Sequence, residues 1–565
     1  MSISLIGWGR FFDNSGQRIT VPAPSTEPGA PWLWDMLTSE AANLASVGFD
    51  RIQLPPASKA QGGDGAECDG YGIYDPRDLG TKKQQGSIPT RYGTAESLRH
   101  LIAVAHQHGL AVDLDIVLHQ LIGGNKARYL YLGADGKTLN GRGPMQPGCF
   151  RKASGGSGTQ PEDNVPVPSD DFAFGDEKVY QHCNSPGYTI NDALDYGDWL
   201  FRTTGADGAR IDDVKGLWAP FVAQFMAHGA MANKPFYSEY FDGNPANLNW
   251  WATTSPINSR SGVEDFTLHF AIEAACNNLN ASVLDGAGYA QWNAGLAYGF
   301  VDNPDTDTSS GEQVITSKML GYAYLLTISC KEVLIYGKDY FSDAIWPGAY
   351  GLKPLIDNLI YINRTFAYGN QTTRWVDNSV IVIERDGNGG EVGTSPGLLT
   401  ALNFDTYNRR QITCATSFGA NVQLHDYTGR HPDIWTDWQG NATFTIPPNA
   451  YAGGQSYLCF SRAGADKPIT HRPQRTTQVF FGAPDLDIPP ATFGGWQTIA
   501  RIYVQKNTPA TFSKQTNIQS TLLDQATPVP GNRPTQTGWY GIGVSTSSPA
   551  PVNFTLSVTY TGGTA

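Results

Sequence analysis

The sequence predicts an α/β fold, an eight-stranded (β/α)8 TIM barrel that is followed by two all-β regions. Over residues 1–370, short apolar strands alternate with segments of helical period, which is the pattern of a parallel barrel with helices outside. After residue 370 the chain changes to short strands separated by turn residues. A length of 565 residues allows three or four domains of ordinary size.

The barrel elements follow from apolar runs and helical periodicity along the chain. The first three strands are predicted at 3–12, 49–55 and 110–118, and the fourth begins at residue 208. The fifth ends just before Glu239 and the seventh just before Asp302, while the sixth and eighth are predicted at 262–266 and 333–337. Helices are predicted at 31–47, 94–109, 191–203 and 313–329. The second helix ends at Gly109, because glycine suits the left-handed conformation that closes a helix.

One long segment interrupts the barrel. Residues 119–187 are rich in Gly and Pro. A loop of that length in a compact barrel is a functional segment or a subdomain. We therefore predict that the barrel occupies residues 1–118 and 188–370, with residues 119–187 inserted as a loop-rich domain.

Two β regions complete the chain. Residues 371–463 contain short strand-like runs, which predict an antiparallel β domain. A linker-like stretch at 463–476 leads into Thr-, Ser- and Val-rich residues. These residues, 472–565, predict a C-terminal β-sandwich.

The composition excludes some classes of partner. The net charge of −13 disfavours nucleic acid and anionic membranes and suits a neutral substrate. No apolar run approaches the roughly 20 residues that span a bilayer. Only 16% of residues are charged, while 63 Gly and 36 Pro indicate a loop-rich, secreted type of chain. We expect an extracellular or periplasmic protein whose signal peptide is not in this sequence, with a cytoplasmic location as the alternative, and a monomer or small homo-oligomer.

The segment from Gly208 to Gly216 contains the first candidate for chemistry. Arg210 and Asp212 are two residues apart at the end of a predicted strand, so their side chains point to the same face. A guanidinium beside a carboxylate favours the ionised form of that carboxylate. A surface ion pair is the alternative for such a short motif, and two further carboxylates argue against it.

Glu239 follows a predicted strand 27 residues after Asp212, and Asp305 follows another strand 66 residues later. Retaining glycosidases need one ionised carboxylate as nucleophile and a second, protonated carboxyl as acid, roughly 5–5.5 Å apart. Arg210 suits the first role for Asp212. The aromatic residues around Glu239 suit an acid that is kept protonated.

The motifs together resemble those of the α-amylase family of glycoside hydrolases, closest to its bacterial liquefying and plant-type branch. The resemblance spans about residues 1–462 and includes 69–80, 86–93, 210–215 and 300–305. It implies Asp212 as nucleophile, Glu239 as acid/base and Asp305 as stabiliser of the transition state. It makes residues 119–187 domain B and residues 371–463 domain C. It also implies a set of substrate-binding residues, namely Tyr71, Asp115, His119, Gln120, Arg210, Lys215 and Asn303.

The chain departs from the family pattern at three places. His119 and Gln120 replace Asn and His after the third strand, and Pro304 replaces His in the seventh-strand motif. We expect altered recognition of the sugar at the cleavage subsite, because charge-assisted hydrogen bonds are lost. The replaced Asn is a calcium ligand in the family, and calcium prefers oxygen. The chemistry needs no cofactor, and we expect the structural calcium to be missing; the alternative is a calcium bound by acids such as Asp163, Asp170 and Asp171.

Three functions are compatible with these motifs. The first is a retaining α-glycoside hydrolase acting on an α-glucan or an α-linked oligosaccharide. The second is a glucanotransferase with the same covalent intermediate, and the third is a noncatalytic glucan-binding protein on the same scaffold. The C-terminal sandwich is a candidate carbohydrate-binding module through Trp496, Trp539 and Tyr540, with core packing as the alternative. Trp250 and Trp251 are candidate sugar platforms, also with core packing as the alternative.

Overall fold

The computed structural model contains the predicted closed barrel of eight parallel strands, in which each strand neighbours the next along the chain. The structure describes residues 1–12, 18–21, 32–65, 68–133, 145–150, 175–178, 186–308, 311–342, 348–387, 396–482, 491, 493–514 and 517–563. Most of the predicted domain B lies outside them. The barrel strands are Ser2–Ile6 (β1), Arg51–Leu54 (β2), Ala111–Ile116 (β3), Gly208–Ile211 (β4), Phe236–Ser238 (β5), Gly262–Glu264 (β6), Ala297–Phe300 (β7) and Glu332–Tyr336 (β8).

The described helices lie mostly between these strands. They are Leu33–Val47 (α1), Ala95–Gln107 (α2), Pro186–Thr204 (α3), Ala219–Ala227 (α4), Pro245–Asn249 (α5), Phe266–Asn278 (α6), Ala290–Asn293 (α7), Lys318–Leu325 (α8), Gly337–Tyr340 (α9) and Lys353–Phe366 (α10). The start of α2 is fixed by a capping box, in which the Thr94 hydroxyl accepts from the Ser97 N–H and the Ser97 hydroxyl accepts from the Thr94 N–H. None of the helices in the described residues is long and apolar enough to cross a membrane.

Two predicted elements differ in extent. The first strand was predicted to reach residue 12, but β1 ends at Ile6, and Gly9–Phe12 instead pairs with Arg18–Val21. The helix predicted at 313–329 is confined to α8. It begins only after Ser317, because that residue has a left-handed backbone with φ of 52° that a helix cannot include.

The region after the barrel is antiparallel, as predicted. Its strands are Gln371–Val376 (β9), Val380–Arg385 (β10), Leu398–Asn403 (β11), Arg410–Ala415 (β12), Gln423–Asp426 (β13), Ile434–Trp435 (β14), Asn441–Ile446 (β15) and Tyr457–Arg462 (β16). Six of them form one sheet in the order β9-β10-β11-β16-β13-β14, and β12 pairs with β15. Side chains from both sheets share one core, which includes Val382, Leu399, Phe444 and Phe460.

The C-terminal strands form two sheets that enclose a second core. The strands are Thr477–Gly482 (β17), Gln497–Val504 (β18), Thr511–Lys514 (β19), Ile518–Asp524 (β20), Thr527–Pro528 (β21), Gly538–Thr546 (β22) and Thr555–Tyr560 (β23). The sheet orders are β17-β23-β19 and β18-β22-β20-β21. Ala103 of helix α2 belongs to the core between them, so this core continues into the barrel helix.

The contacts divide the chain into two compact units that cut across the barrel. One unit comprises Met1–Phe11, Ser46–Asp50 and Tyr240–His471, and therefore holds β1, β6, β7 and β8 with the antiparallel region. The other comprises Phe12–Ala45, Arg51–Glu239 and Arg472–Ala565, and holds β2 to β5 with the C-terminal sheets. The predicted domain boundaries stay predictions.

Candidate active site

Arg210, the last residue but one of β4, is at the centre of a buried group of acids. Its Nη1 lies 2.7 Å from Asp115 Oδ2 and 3.1 Å from Asp212 Oδ1, and its Nη2 lies 3.0 Å from Glu239 Oε2. Asp115 lies in β3, while Asp212 and Glu239 directly follow β4 and β5. The parallel register sets Arg210 beside Asp115 on one side and Tyr237 on the other. One guanidinium thus contacts three carboxyl groups at the ends of adjacent strands.

Asp115 is the most enclosed of the three acids. Its Oδ2 accepts hydrogen bonds from Arg210 and, at 2.7 Å, from the Tyr71 hydroxyl. Burial raises the pKa of Asp115 to about 6, although Arg210 and Tyr71 both act to lower it. Tyr71 is itself only 7% exposed. In this structure its hydroxyl is therefore directed at the acid group.

Asp212 has a perturbed pKa that differs from the sequence expectation. Burial and the neighbouring charge of Glu239 raise the pKa of Asp212 well above its usual range, and Arg210 offsets this only in part. Arg210 lowers the pKa of Asp212, as expected, but the guanidinium is shared among three carboxyl groups and does not outweigh burial and the charge of Glu239. Raised pKa values in such a group of acids favour sharing a proton among them, and a retaining glycosidase requires one protonated and one ionised carboxyl.

The turn after β4 is tied to the end of β5. Asp213 has a left-handed backbone with φ of 40° and ψ of 59°. Its N–H donates to Glu239 Oε2 at 2.9 Å, and the next N–H, that of Val214, donates to the Glu239 carbonyl at 3.1 Å. Lys215 lies in the single helical turn Val214–Gly216 and is half-buried.

The two residues that depart from the family after β3 are buried. His119 is 1% exposed, and its Nδ1 lies 3.1 Å from Asp213 Oδ2. Gln120 is 3% exposed and donates from Nε2 to the Tyr71 carbonyl at 3.2 Å. The contacts described for both residues are to the protein's own chain, and their predicted sugar contacts stay predictions.

Asn303 and Asp305 belong to the other compact unit, where they follow β7. Asn303 is buried, and its Oδ1 accepts from the backbone N–H groups of Asp305 and Thr306, each at 2.9 Å. This capping closes the turn that carries Asp305, which is half-exposed. The structure thus places Asp305 at the end of its predicted strand.

Sequence reasoning missed a buried ion network beneath that turn. Lys318 Nζ lies 2.7 Å from Asp302 Oδ2 and 2.7 Å from Asp339 Oδ1, and Lys338 pairs with Asp307. Burial raises the pKa of Asp302 to about 7, against the opposing effect of Lys318. The signal was present in the motif, since Asp302 directly precedes Asn303 at the end of an apolar strand.

The expected calcium ligands are only partly within the described residues. His119 supplies ring nitrogens where the family has an amide oxygen, and it is engaged by Asp213. Among the described residues, no group of three or more His, Cys, Asp or Glu side chains could hold a metal ion. These side chains do not fit an oxygen cage, and the loss of the calcium stays a prediction.

The tryptophans proposed as sugar platforms have different environments. Trp251 is fully buried, with its ring 5.6 Å from that of Tyr240, whereas Trp250 is 39% exposed. In the C-terminal region Tyr540 belongs to the core, and Trp539 packs 5.1 Å from His100 of helix α2. Trp496 is half-exposed. Core packing is therefore correct for Trp251 and Tyr540.

The sequence is similar to curated enzymes over most of its length. It is 24% identical over 471 residues to the glucan 1,4-α-maltohexaosidase of Bacillus sp. (strain 707), covering 74% of this chain and 86% of the relative. It is 25% identical over 450 residues to the α-amylase of Geobacillus stearothermophilus, covering 72% and 80%. A cyclomaltodextrin glucanotransferase of Niallia circulans is 23% identical over 376 residues, covering 61% and 48%. No family model matches the chain.

Solved structures resemble the fold. An α-amylase from Malbranchea cinnamomea superposes with a TM-score of 0.57 at 16% identity, over 83% of this chain and 98% of that one. The γ-cyclodextrin glucanotransferase (CGTase) from alkalophilic Bacillus clarkii superposes with a TM-score of 0.55 at 16% identity, over 92% and 87%. At these identities the likeness establishes the fold of the barrel and its all-β additions.

Proposed function

This chain belongs with the α-amylase family of glycoside hydrolases, and on that premise we propose that it cleaves α-glucosidic bonds in an α-glucan or a related oligosaccharide with retention of configuration. The observation that carries the proposal is the pair of carboxyl groups, Asp212 and Glu239, held 3.1 and 3.0 Å from one guanidinium at the ends of adjacent strands. The raised pKa of Asp212 supports a proton retained within this group of acids.

In the first proposed step, the Asp212 carboxylate attacks the anomeric carbon while Glu239 donates its proton to the glycosidic oxygen. The bond between the anomeric carbon and that oxygen breaks, and the sugar is left bound to Asp212 as an ester. Arg210 stabilises the charge that remains on the acid group. We assign Asp305 the stabilising role that the resemblance implies.

In the second step, Glu239, now ionised, takes a proton from a water molecule whose oxygen attacks the anomeric carbon. The ester bond to Asp212 breaks, which restores both side chains. If the hydroxyl of a second sugar replaces the water, the product is a longer glucan. The relationship to cyclomaltodextrin glucanotransferases supports this second candidate less strongly, because it covers 61% of the chain.

We also propose altered recognition of the sugar at the cleavage subsite. His119 is buried with its Nδ1 3.1 Å from Asp213 Oδ2, and Gln120 is buried and donates to the Tyr71 carbonyl. Pro304 replaces the family's His with a side chain that cannot donate a hydrogen bond. Recognition at this sugar then depends more on Tyr71, Asp115 and Lys215. The extracellular or periplasmic location and the monomeric or small oligomeric state stay predictions.

Chromatography of the products from starch, pullulan and dextran tests the proposal. We expect maltooligosaccharides from starch and no release from dextran, with Asp212→Asn as the inactive control. A hydrolase given maltotetraose yields shorter products first, whereas a transferase yields longer chains as well. Binding to starch without any release of sugar by the wild-type protein would favour the noncatalytic alternative and overturn the proposal.

A further inference from the structure

The backbone of Asp213 is held in a conformation that residues with side chains rarely adopt. Asp213 directly follows Asp212, and its φ of 40° and ψ of 59° lie in the left-handed region. Such strain persists only where the surroundings enforce it, and it is concentrated at functional sites.

The conformation directs a hydrogen-bond donor at Glu239. With the left-handed turn, the N–H of Asp213 donates to Glu239 Oε2 at 2.9 Å, which is the same oxygen that lies 3.0 Å from Arg210 Nη2. The neighbouring main chain is fixed as well, because the Glu239 N–H donates to the Ile211 carbonyl at 3.0 Å. The Asp213 N–H and Arg210 together fix one oxygen of the Glu239 carboxyl.

The side chain of Asp213 lies against the imidazole of His119. The imidazole Nδ1 lies 3.1 Å from Asp213 Oδ2, and the ring is almost completely buried. The His119 main chain is fixed in turn, because its carbonyl accepts from the Lys178 N–H at 2.8 Å. The imidazole thus has a defined position from which to hold the carboxylate.

Gly216 completes the enclosure of the imidazole. A Cβ atom at position 216 would lie 2.6 Å from His119 Nε2, which is closer than real contacts allow. The Gly216 N–H also donates to the Asp213 carbonyl at 3.2 Å. This short turn therefore links Asp213 and Gly216, the two residues that lie against the imidazole. The ring is therefore held between the Asp213 carboxylate and a residue that must lack a side chain.

We propose that His119 is a positioning residue, which holds Asp213 left-handed and thereby aims the Asp213 N–H at the Glu239 carboxyl. This inference rests on the proposed function, because it assigns the aligned carboxyl the role of acid/base. In this role His119 acts on the reaction through Asp213, not through the sugar. Gly216 is required as its partner.

A double-mutant cycle tests the role. His119→Asn should lower kcat by about 10- to 100-fold with little change in KM, since a small misplacement of a catalytic group costs that much. Glycine adopts the left-handed conformation without help, so Asp213→Gly removes the need for the imidazole. In that background His119→Asn should cost less than about threefold in kcat, which is a strong departure from additivity.

The division of the loss between kcat and KM separates positioning from general destabilisation. His119→Asn should lower kcat while KM stays nearly unchanged, because the misplaced group acts in the reaction and not in binding. His100→Asn is the control, because His100 is buried but contacts the Gly563 carbonyl and Tyr503, and it should lower the melting temperature without lowering kcat.

Failure of the positioning role and failure of the proposed function give different results. If the wild-type protein hydrolyses starch and Asp212→Asn does not, the function holds, and equal losses from His119→Asn in both backgrounds would overturn the positioning role alone. A loss in His119→Asn that is confined to KM would also overturn it. If the wild type releases no sugar from starch, pullulan or dextran, the proposed function fails and the positioning role fails with it.

Discussion

The residues that flank strand β4, Asp207 and Asp212, carry carboxylates in opposite electrostatic situations. At its start, Asp207 accepts from His106 Nε2 and from the Val112 N–H, each at 2.8 Å, and pairs with Arg475 at 2.9 Å. At its end, Asp212 shares the single guanidinium of Arg210 with two other acids. The pKa values follow the number of donors for each carboxylate.

Burial alone would raise both pKa values. At Asp207 the hydrogen bond and charge of His106, and then the charge of Arg475, outweigh burial and lower the pKa to about 2. At Asp212 the charge of Glu239 adds to burial, and the pKa is raised well above its usual range. Asp207, a carboxylate with three donors, stabilises the fold. The acids around Arg210 compete for one cation and lower the stability of the fold, which is common for groups that a functional site needs.

The largest expected effect is at the carboxyl ends of β4 and β5. Asp212→Asn and Glu239→Gln should each lower kcat by about 10³-fold or more, because each removes a group that takes part in bond making or breaking. Rates on a maltooligosaccharide, with circular dichroism as the control for folding, check this. Retention of more than a few per cent of activity by either variant would remove that residue from its role.

Asp212→Asn should at the same time raise the melting temperature at neutral pH. The folded pKa of Asp212 lies above its unfolded value, so its contribution to stability is fully present below about pH 4 and is lost as the pH rises through the folded pKa. Asn does not ionise and escapes that loss. Melting curves from pH 4 to 8 should show the gain growing with pH, and a gain that is constant or absent would contradict the raised pKa.

Asp207→Asn, at the other end of β4, should cost about 2 kcal/mol of folding free energy at pH 7 and leave kcat unchanged. The folded pKa of about 2 lies below the unfolded value, so the contribution is present above about pH 4 and lost as the pH falls through 2. Denaturant unfolding at pH 7 and pH 3 measures this difference. A larger cost at pH 3 than at pH 7 would have the wrong sign.

Trp539→Ala should destabilise the protein by about 2 kcal/mol without affecting adsorption to starch granules. The ring packs against His100 and Tyr503, and the Arg501 guanidinium lies 5.5 Å from its centre, so it is a structural contact between β22 and helix α2. Trp496→Ala, at a half-exposed tryptophan of the same region, is the matched variant. If Trp539→Ala adsorbs to starch granules more weakly and Trp496→Ala does not, Trp539 is a sugar platform after all.

The smallest expected effect is that of chelation. EDTA should lower the melting temperature by less than about 2 °C, because His119 stands where the family supplies an oxygen ligand. A loss of 1 kcal/mol of stability in a domain of 150–250 residues would lower the melting temperature by about 2–4 °C. Thermal melts with EDTA and with added calcium measure this. A large fall that calcium reverses would show that other oxygen ligands replace the lost one.

The sequence predicts the elements whose local pattern agrees with the fold. Apolar runs locate β4 and even the short β6, and strand alternation puts Arg210 and Asp212 on the same face. It does not predict contacts that depend on long-range packing. Nothing near His119 indicates that its ring meets Asp213, because this contact requires a left-handed backbone at a residue that is not glycine. Similarly, no motif marks Asp207, whose donors come from α2, from β3 and from the chain before β17.

The central claim is that Asp212 attacks the sugar and Glu239 serves as acid and then base. Proton NMR of the first products from an α-linked maltooligosaccharide, recorded before mutarotation, tests it most directly. We expect the α-anomer to form first, because two displacements at the anomeric carbon restore the original configuration. A β-anomer formed first would mean a single displacement by water, and it would contradict the assignment of Asp212 as nucleophile.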